Sequence, residues 1–128
     1  LEELAVNASS RYRIACRFVC QIAPAKFDGD MELHLYYIAQ EALLNAVNHG
    51  KSTEVIVTLA ADGDQLKLTV QDNGGGFQMS GKTRTGLGIR IMKYRAKVIG
   101  ASVELHSELE RGTRMECAFN PKFREQQK

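Results

Sequence analysis

Residues 33–49 read Leu33-His34-Leu35-Tyr36-Tyr37-Ile38-Ala39-Gln40-Glu41-Ala42-Leu43-Leu44-Asn45-Ala46-Val47-Asn48-His49. Wound as a helix at about 100° per residue, most of the circumference is apolar: Leu35, Ile38, Ala39, Ala42, Leu43, Leu44, Ala46 and Val47. One narrow polar stripe remains, formed by His34, Tyr37, Glu41, Asn45 and Asn48 at steps of three and four. An ordinary surface helix has a broad polar face. A helix buried on most sides that keeps one stripe with a carboxylate and two amides either lines a site or presents a solvated edge, and this segment alone leaves both open. Glu41 and Asn45 are one turn apart and can point into one cavity. An amide oxygen suits a hard cation such as Mg²⁺. The carboxylate beside it could take a proton or hold a water.

Working outward, residues 12–22 are rich in β-formers and partly alternate, which predicts a strand. Pro24 and Gly29 punctuate a loop, Asp28 or Asp30 caps the helix, and Gly50 stops it after His49. Downstream, residues 54–60 and 65–71 read as two strands joined by a turn at Ala61-Asp62-Gly63-Asp64, an antiparallel hairpin. A glycine-rich loop at 72–85 precedes a second helix from Gly86 to Ile99, stopped by Gly100. Two more strands follow near 102–107 and 113–119, with Gly112 in the turn between them. Residues 1–10 read as the end of a preceding helix or a strap on the core, and residues 121–128 as a frayed tail. The expected fold is α+β, a two-layer sandwich: a mixed, largely antiparallel sheet with helices on one face.

The chain has 128 residues, which suits one domain over 1–128 with a real core. At 44% apolar and 25% charged it has the composition of a globular protein rather than a disordered one. A net charge of +2 is too small to argue for nucleic acid or an anionic membrane as the main partner. No apolar run approaches the length of a membrane span, and no signal-peptide pattern opens the chain. It begins at Leu1 rather than Met, so a fragment of a longer protein is expected. Cys16, Cys20 and Cys117 fit neither a disulfide framework nor a zinc site and read as reduced core cysteines.

Two further stretches carry chemistry. Asp72-Asn73-Gly74-Gly75-Gly76-Phe77 follows a strand directly, and six of the eleven glycines fall between 74 and 88. Such clustering asks the backbone for unusual dihedrals or close approach. An aspartate there could accept the amino hydrogens of adenine, and it would oppose the carbonyl of guanine. Asp-Asn-Gly also makes a good Asx turn, the plainer reading of these residues alone. The second stretch, Thr85-Gly86-Leu87-Gly88-Ile89-Arg90-Ile91-Met92, opens a helix whose free N–H groups and dipole favour an anion such as polyphosphate. Lys82 and Arg84 could add charge. The pattern is neither a P-loop nor a dinucleotide fingerprint.

Together, in this order, the three stretches resemble the GHKL family of ATPases and kinases. Tyr37 to Ala46, followed by His49, is similar to the N box of sensor histidine kinases paired with NarL-type response regulators. Asp72 to Phe77 resembles the first glycine box. Gly86 to Met92, with Tyr94-Arg95-Ala96, resembles the second, and Gly112-Thr113 the final Gly-Thr. The resemblance covers roughly residues 12–120 and implies a Bergerat-type fold that binds ATP with Mg²⁺. Carried over by position, Asn45 would coordinate Mg²⁺, and Glu41 would be the base or the polar group nearest the γ-phosphate. Asp72 would bind the adenine amino group, with Gly74 and Gly76 admitting the base. Gly86 and Gly88 would hinge the lid, flank Leu87 and present N–H groups to the phosphates, and Thr113 would complete the adenine pocket. Asn48 stands where many relatives carry a basic residue that reaches phosphate, so Lys82 or Arg84 would have to substitute. The loop from Gly76 to Gly86 is short, which implies a small lid.

The resemblance further implies transfer of the γ-phosphoryl group to a histidine. None of His34, His49 and His106 has the setting of an acceptor. The acceptor is therefore expected on a dimerisation domain of the same protein, with a response regulator downstream and little activity from this fragment alone. No nucleic-acid partner is expected, and the isolated domain should be monomeric. The expected location is cytoplasmic, whether or not the parent sensor is membrane-bound. A GHKL serine kinase of the anti-sigma type, a gyrase-like machine and a degenerate nucleotide-sensing module share parts of this pattern. The details of the N box argue against the serine kinase. Intact Glu41, Asn45 and Asp72 argue against the sensing module, and Asn48 keeps it open.

Overall fold

The computed structural model describes residues 2–21, 29–48, 53–74, 84–108 and 112–120. Helix α1 spans Glu2–Tyr12, strand β1 Ala15–Gln21 and helix α2 Gly29–Asn48. Strands β2 (Glu54–Asp62) and β3 (Gln65–Asp72) follow, then helix α3 (Arg84–Val98) and strands β4 (Ser102–Glu108) and β5 (Gly112–Phe119). The strand order is β1-β2-β3-β5-β4. β1 runs parallel to β2 and every other pairing is antiparallel. This is the mixed, mostly antiparallel sheet expected.

One face of the sheet is apolar because the strand period is two. Val57 stands opposite Val70, Leu59 opposite Leu68, and Val70 opposite Met115. All of these are buried. Helix α2 supplies the other half of the core with Met31, Leu35, Ile38, Ala39, Leu43 and Ala46. α1 packs on β1 and α2, α2 on β2 and β3, and α3 on α2 and β4. The opposite face is polar and carries ion pairs, such as Arg114–Glu116 at 2.7 Å and Lys67–Glu116 at 3.7 Å.

The ends of the elements follow local chemistry. The β2–β3 hairpin turns on Gly63, at φ 65°. Its turn is tighter than expected, since Ala61 and Asp62 still belong to β2. α3 ends in a Schellman cap: Gly100 takes φ 68°, its N–H donates to the Lys97 carbonyl, and Ala101 N–H donates to the Ala96 carbonyl. Gly112 is the first residue of β5 rather than a turn residue. α3 begins at Arg84, two residues earlier than expected, so Gly86 and Gly88 lie inside its first turns. Glycine in a helix costs backbone entropy, and at Gly88 the missing side chain leaves room for Glu41. Residues 2–12 form a complete helix, tied to β1 where Ser9 Oγ donates to the Cys16 carbonyl and accepts from Cys16 N–H. His49, Gly50 and residues 121–128 lie outside the described residues.

All three cysteines are thiols, but only Cys117 is a core residue; Cys16 is half-buried and Cys20 exposed. β1 is one edge of the sheet, and α1 is tied to it at Cys16, near the opposite end of the strand from the exposed Cys20. Burial pushes the Cys117 thiol up to about 12 and raises Cys16 as well. At pH 8, Cys20 should therefore react with a disulfide reagent without delay, while Cys117 should react only as fast as the domain unfolds. Equal rates would place Cys117 outside the core. A raised folded pKa means the Cys117 contribution is complete below the ordinary value of 9.0 and is lost as pH climbs towards about 12.

Candidate functional site

The site is built at one end of the α2–sheet interface. Glu41 and Asn45 sit on α2, one turn apart, and both are half-buried. α3 comes to them at Gly88. A Cβ added there would lie 2.5 Å from Glu41 Oε1 and 3.5 Å from Asn45 Nδ2. With the Glu41 side chain where it stands, only glycine leaves it this room; any larger residue would require the carboxylate to swing aside.

Asp72 closes β3 and is the only charged side chain buried among the described residues, at 7% exposure. Burying a carboxylate is costly unless hydrogen bonds compensate. Here Oδ1 accepts from Gly74 N–H at 2.8 Å and Thr113 N–H at 3.3 Å. Both bonds go to one oxygen, and Oδ2 accepts none from a described residue. Gly112 makes the Thr113 bond possible. It takes φ 86°, and a Cβ on it would strike the Asp72 carbonyl oxygen.

Asn45, Asp72 and Thr113 line one cleft, with Ala42, Ala46, Val70, Leu105 and Met115 as its apolar walls. The empty space is about 280 Å³, mouth included. Most of that is open mouth: the enclosed part is about 10 Å³, room for one water, so a ligand would sit largely at the mouth. A cleft with apolar walls and a buried carboxylate in its lining can recognise a planar ring that carries an amino group.

The structure thus brings together Glu41, Asn45 and Gly88, and also Asn45, Asp72, Gly74 and Thr113. Gly86 lies in α3. Gly76 and Lys82 lie outside the described residues, and the side chains of Asn48, Arg84 and Leu87 outside the described side chains.

Sequence reasoning passed over two features. The first is Asn73, whose Oδ1 accepts from Thr53 N–H at 3.0 Å and Glu54 N–H at 2.9 Å, and whose Nδ2 donates to Thr53 Oγ1 at 3.0 Å. It pins the end of β3 to the start of β2 beside Asp72. Its place in Asp-Asn-Gly was the available signal. The second is the set of cleft walls. Ala42 and Ala46 flank Asn45 on α2 and form part of the cleft wall.

A family model described as "Histidine kinase-, DNA gyrase B-, and HSP90-like ATPase" matches residues 30–123. The nitrate/nitrite sensor protein NarX of Escherichia coli (strain K12) is 32% identical over 121 residues, which cover 94% of this chain and 20% of that protein. The sensor protein VraS of Staphylococcus aureus (strain COL) is 36% identical over 104 residues, covering 81% of this chain and 30% of that protein. The chain therefore spans between a fifth and a third of these relatives' lengths. Among solved structures, the histidine kinase domain of a blue-light activated histidine kinase from Erythrobacter litoralis EL346 aligns with a TM-score of 0.77 at 21% identity, over 92% of this chain and 58% of that one. The ATP binding domain of PrrB from Mycobacterium tuberculosis aligns with a TM-score of 0.73 at 20% identity, over 94% of this chain and 90% of that one. At these identities the structural match speaks for the α+β sandwich itself.

Proposed function

The chain belongs to the family of histidine kinase-, DNA gyrase B- and HSP90-like ATPases, and from that premise we propose that it is the ATP- and Mg²⁺-binding catalytic domain of a two-component sensor histidine kinase. Its acceptor would be a histidine on the dimerisation domain of the same protein, and a response regulator would take the phosphoryl group onward. The observation that supports this best is the cleft that joins Asn45, Asp72 and Thr113, with the Asp72 carboxylate buried at its floor. A structural role alone does not require a buried charge there, because an uncharged acceptor would hold the same two N–H groups.

In this reading Asp72 Oδ2 accepts the exocyclic amino group of adenine. Guanine would bring a carbonyl to the same oxygen, leaving two acceptors facing each other with no proton between them. Asn45 offers its amide oxygen to the cation, a hard and neutral ligand that leaves the phosphates to supply the charge. Mg²⁺, when bound, would neutralise charge on the phosphates during transfer. Glu41, against Gly88, would hold or accept a proton near the γ-phosphate. The first turns of α3, with Gly86 and Gly88, would face the phosphates with N–H groups, and Lys82, Arg84 or Asn48 would add contacts there. Helix α2 is held in place by its buried apolar side, so most of the catalytic effect would come from positioning.

The test is calorimetric titration with a non-hydrolysable ATP analogue, with and without Mg²⁺, and with the GTP analogue as control. Mg²⁺-dependent binding of the adenine compound alone is the expected result. Equal binding of both nucleotides would remove Asp72 from base recognition. Binding of neither would overturn the nucleotide-binding reading of the cleft.

A further inference from the structure

The polar stripe of α2 does not end at the cleft. One and two turns before Glu41 it continues as Tyr37 and His34, which do not line the cleft. Both meet α3. The Arg95 guanidinium lies over the Tyr37 ring, 4.3 Å from its centroid. Arg95 Nη1 also stands 3.4 Å from His34 Nδ1. Arg95 is half-buried and makes no ion pair among the described residues, whereas its neighbour Tyr94 is 68% exposed. α3 therefore turns a half-buried guanidinium toward α2 and an aromatic ring outward, the reverse of what transfer energies alone would choose. Stacking on Tyr37 compensates for the partial loss of water around the cation.

The geometry of the two helix–helix contacts shows what this arrangement achieves. Gly88 meets Glu41 and Asn45, while Arg95 meets Tyr37 and His34. As the numbers rise on α3 they fall on α2, so the helices run antiparallel. Gly88 and Arg95 are two turns apart on one face of α3, about 10.5 Å along its axis. The Gly88 contact has no side chain on α3 and cannot by itself prevent the helix from sliding or rolling. The Arg95 contact supplies a directional anchor on the same face.

We infer that Arg95 is a positioning residue: with Tyr37 and His34 it sets the register of α3 on α2, and so holds the first turns of α3 at the phosphate end of the nucleotide site. This rests on the functional reading above. The residue type matters, because only a planar guanidinium can lie on a ring face and direct an in-plane N–H to an imidazole nitrogen at the same time.

The test pairs amide hydrogen exchange in the nucleotide-free protein with titrations by the ATP analogue and by adenosine, in wild type, Arg95→Lys, Tyr37→Leu and Tyr37→Phe. Arg95→Lys and Tyr37→Leu should speed exchange in the first turns of α3 and leave β3 and β5 unchanged. They should weaken the ATP analogue about fivefold to tenfold while adenosine binding holds. Tyr37→Phe keeps the ring and should match wild type. Uniformly faster exchange, or a parallel loss of both ligands, would mean general destabilisation and would overturn the positioning role. So would an unchanged preference for the triphosphate over adenosine in both disruptive variants. A wild-type protein that takes neither ligand overturns the functional reading and this role with it, and is told apart from failure of the anchor alone by the wild-type titration.

Discussion

Asp72→Asn is expected to leave the fold standing and to weaken binding of the ATP analogue about a hundredfold. The two consequences separate because the two carboxylate oxygens do different work. Oδ1 accepts from Gly74 N–H and Thr113 N–H, and an amide oxygen can take its place with the same geometry. Oδ2 would become an NH₂ group, a donor where the adenine amino group also donates. The site then holds two donors face to face at a buried position, and neither finds an acceptor. Removing the buried charge should leave thermal stability level or slightly raised. The discriminating penalty against guanine should shrink, because its carbonyl would meet a donor. Calorimetry with both analogues, beside a thermal melt, reads all three quantities. Unaltered ATP affinity in a folded variant would end the assignment of Asp72 to adenine. A variant that melts far lower would show that the carboxylate is chiefly structural.

Gly112→Ala should be the most damaging single-methyl change in the described structure, costing about 2–5 kcal/mol of stability. Gly112 has φ 86°, where an L-residue is strained, and the added carbon would run into the Asp72 carbonyl, a backbone atom that cannot swing away. Relief requires β5 to move off β3, which would also break the Thr113 N–H bond to Asp72 Oδ1. Gly63→Ala is the control. Gly63 has φ 65° but open space around it, so only the conformational penalty of about 1 kcal/mol applies. Urea unfolding of the two variants should show midpoints well apart. If they coincide, the close approach between β5 and Asp72 is not the reason for the glycine. A folded fraction of Gly112→Ala should also bind adenine compounds poorly, because the floor of the cleft has shifted.

Several elements were legible because their causes are local. The apolar period of 33–49 marked α2, and Gly63 marked the hairpin turn. Gly100 marked the end of α3, since a left-handed residue there completes the cap. The candidate site was legible as three separate stretches. Glu41 and Asn45 could be set side by side from helical spacing, and Asp72 was marked by its place between a strand and a glycine run. The start of α3 was less legible, because glycines that look like a loop are tolerated in a first turn. Cys20 was misread because its inward parity on β1 hides its exposed place near the end of an edge strand.

By itself, then, the sequence determined most of the helices and strands and the glycines at the hairpin turn and the end of α3, and it marked Glu41, Asn45 and Asp72 as candidates for a site. These follow from interactions within a few residues, where period, capping and turn chemistry act. Only the tertiary structure decided that β5 inserts between β3 and β4, that β1 lies parallel to β2, and that Gly112 brings Thr113 onto Asp72. It alone also set α3 on α2, with Met92 and Ala96 buried and Gly88 and Arg95 meeting the polar stripe. Those pairings join residues far apart in the chain, and burial of one shared apolar face selects among them. No local pattern carries that information.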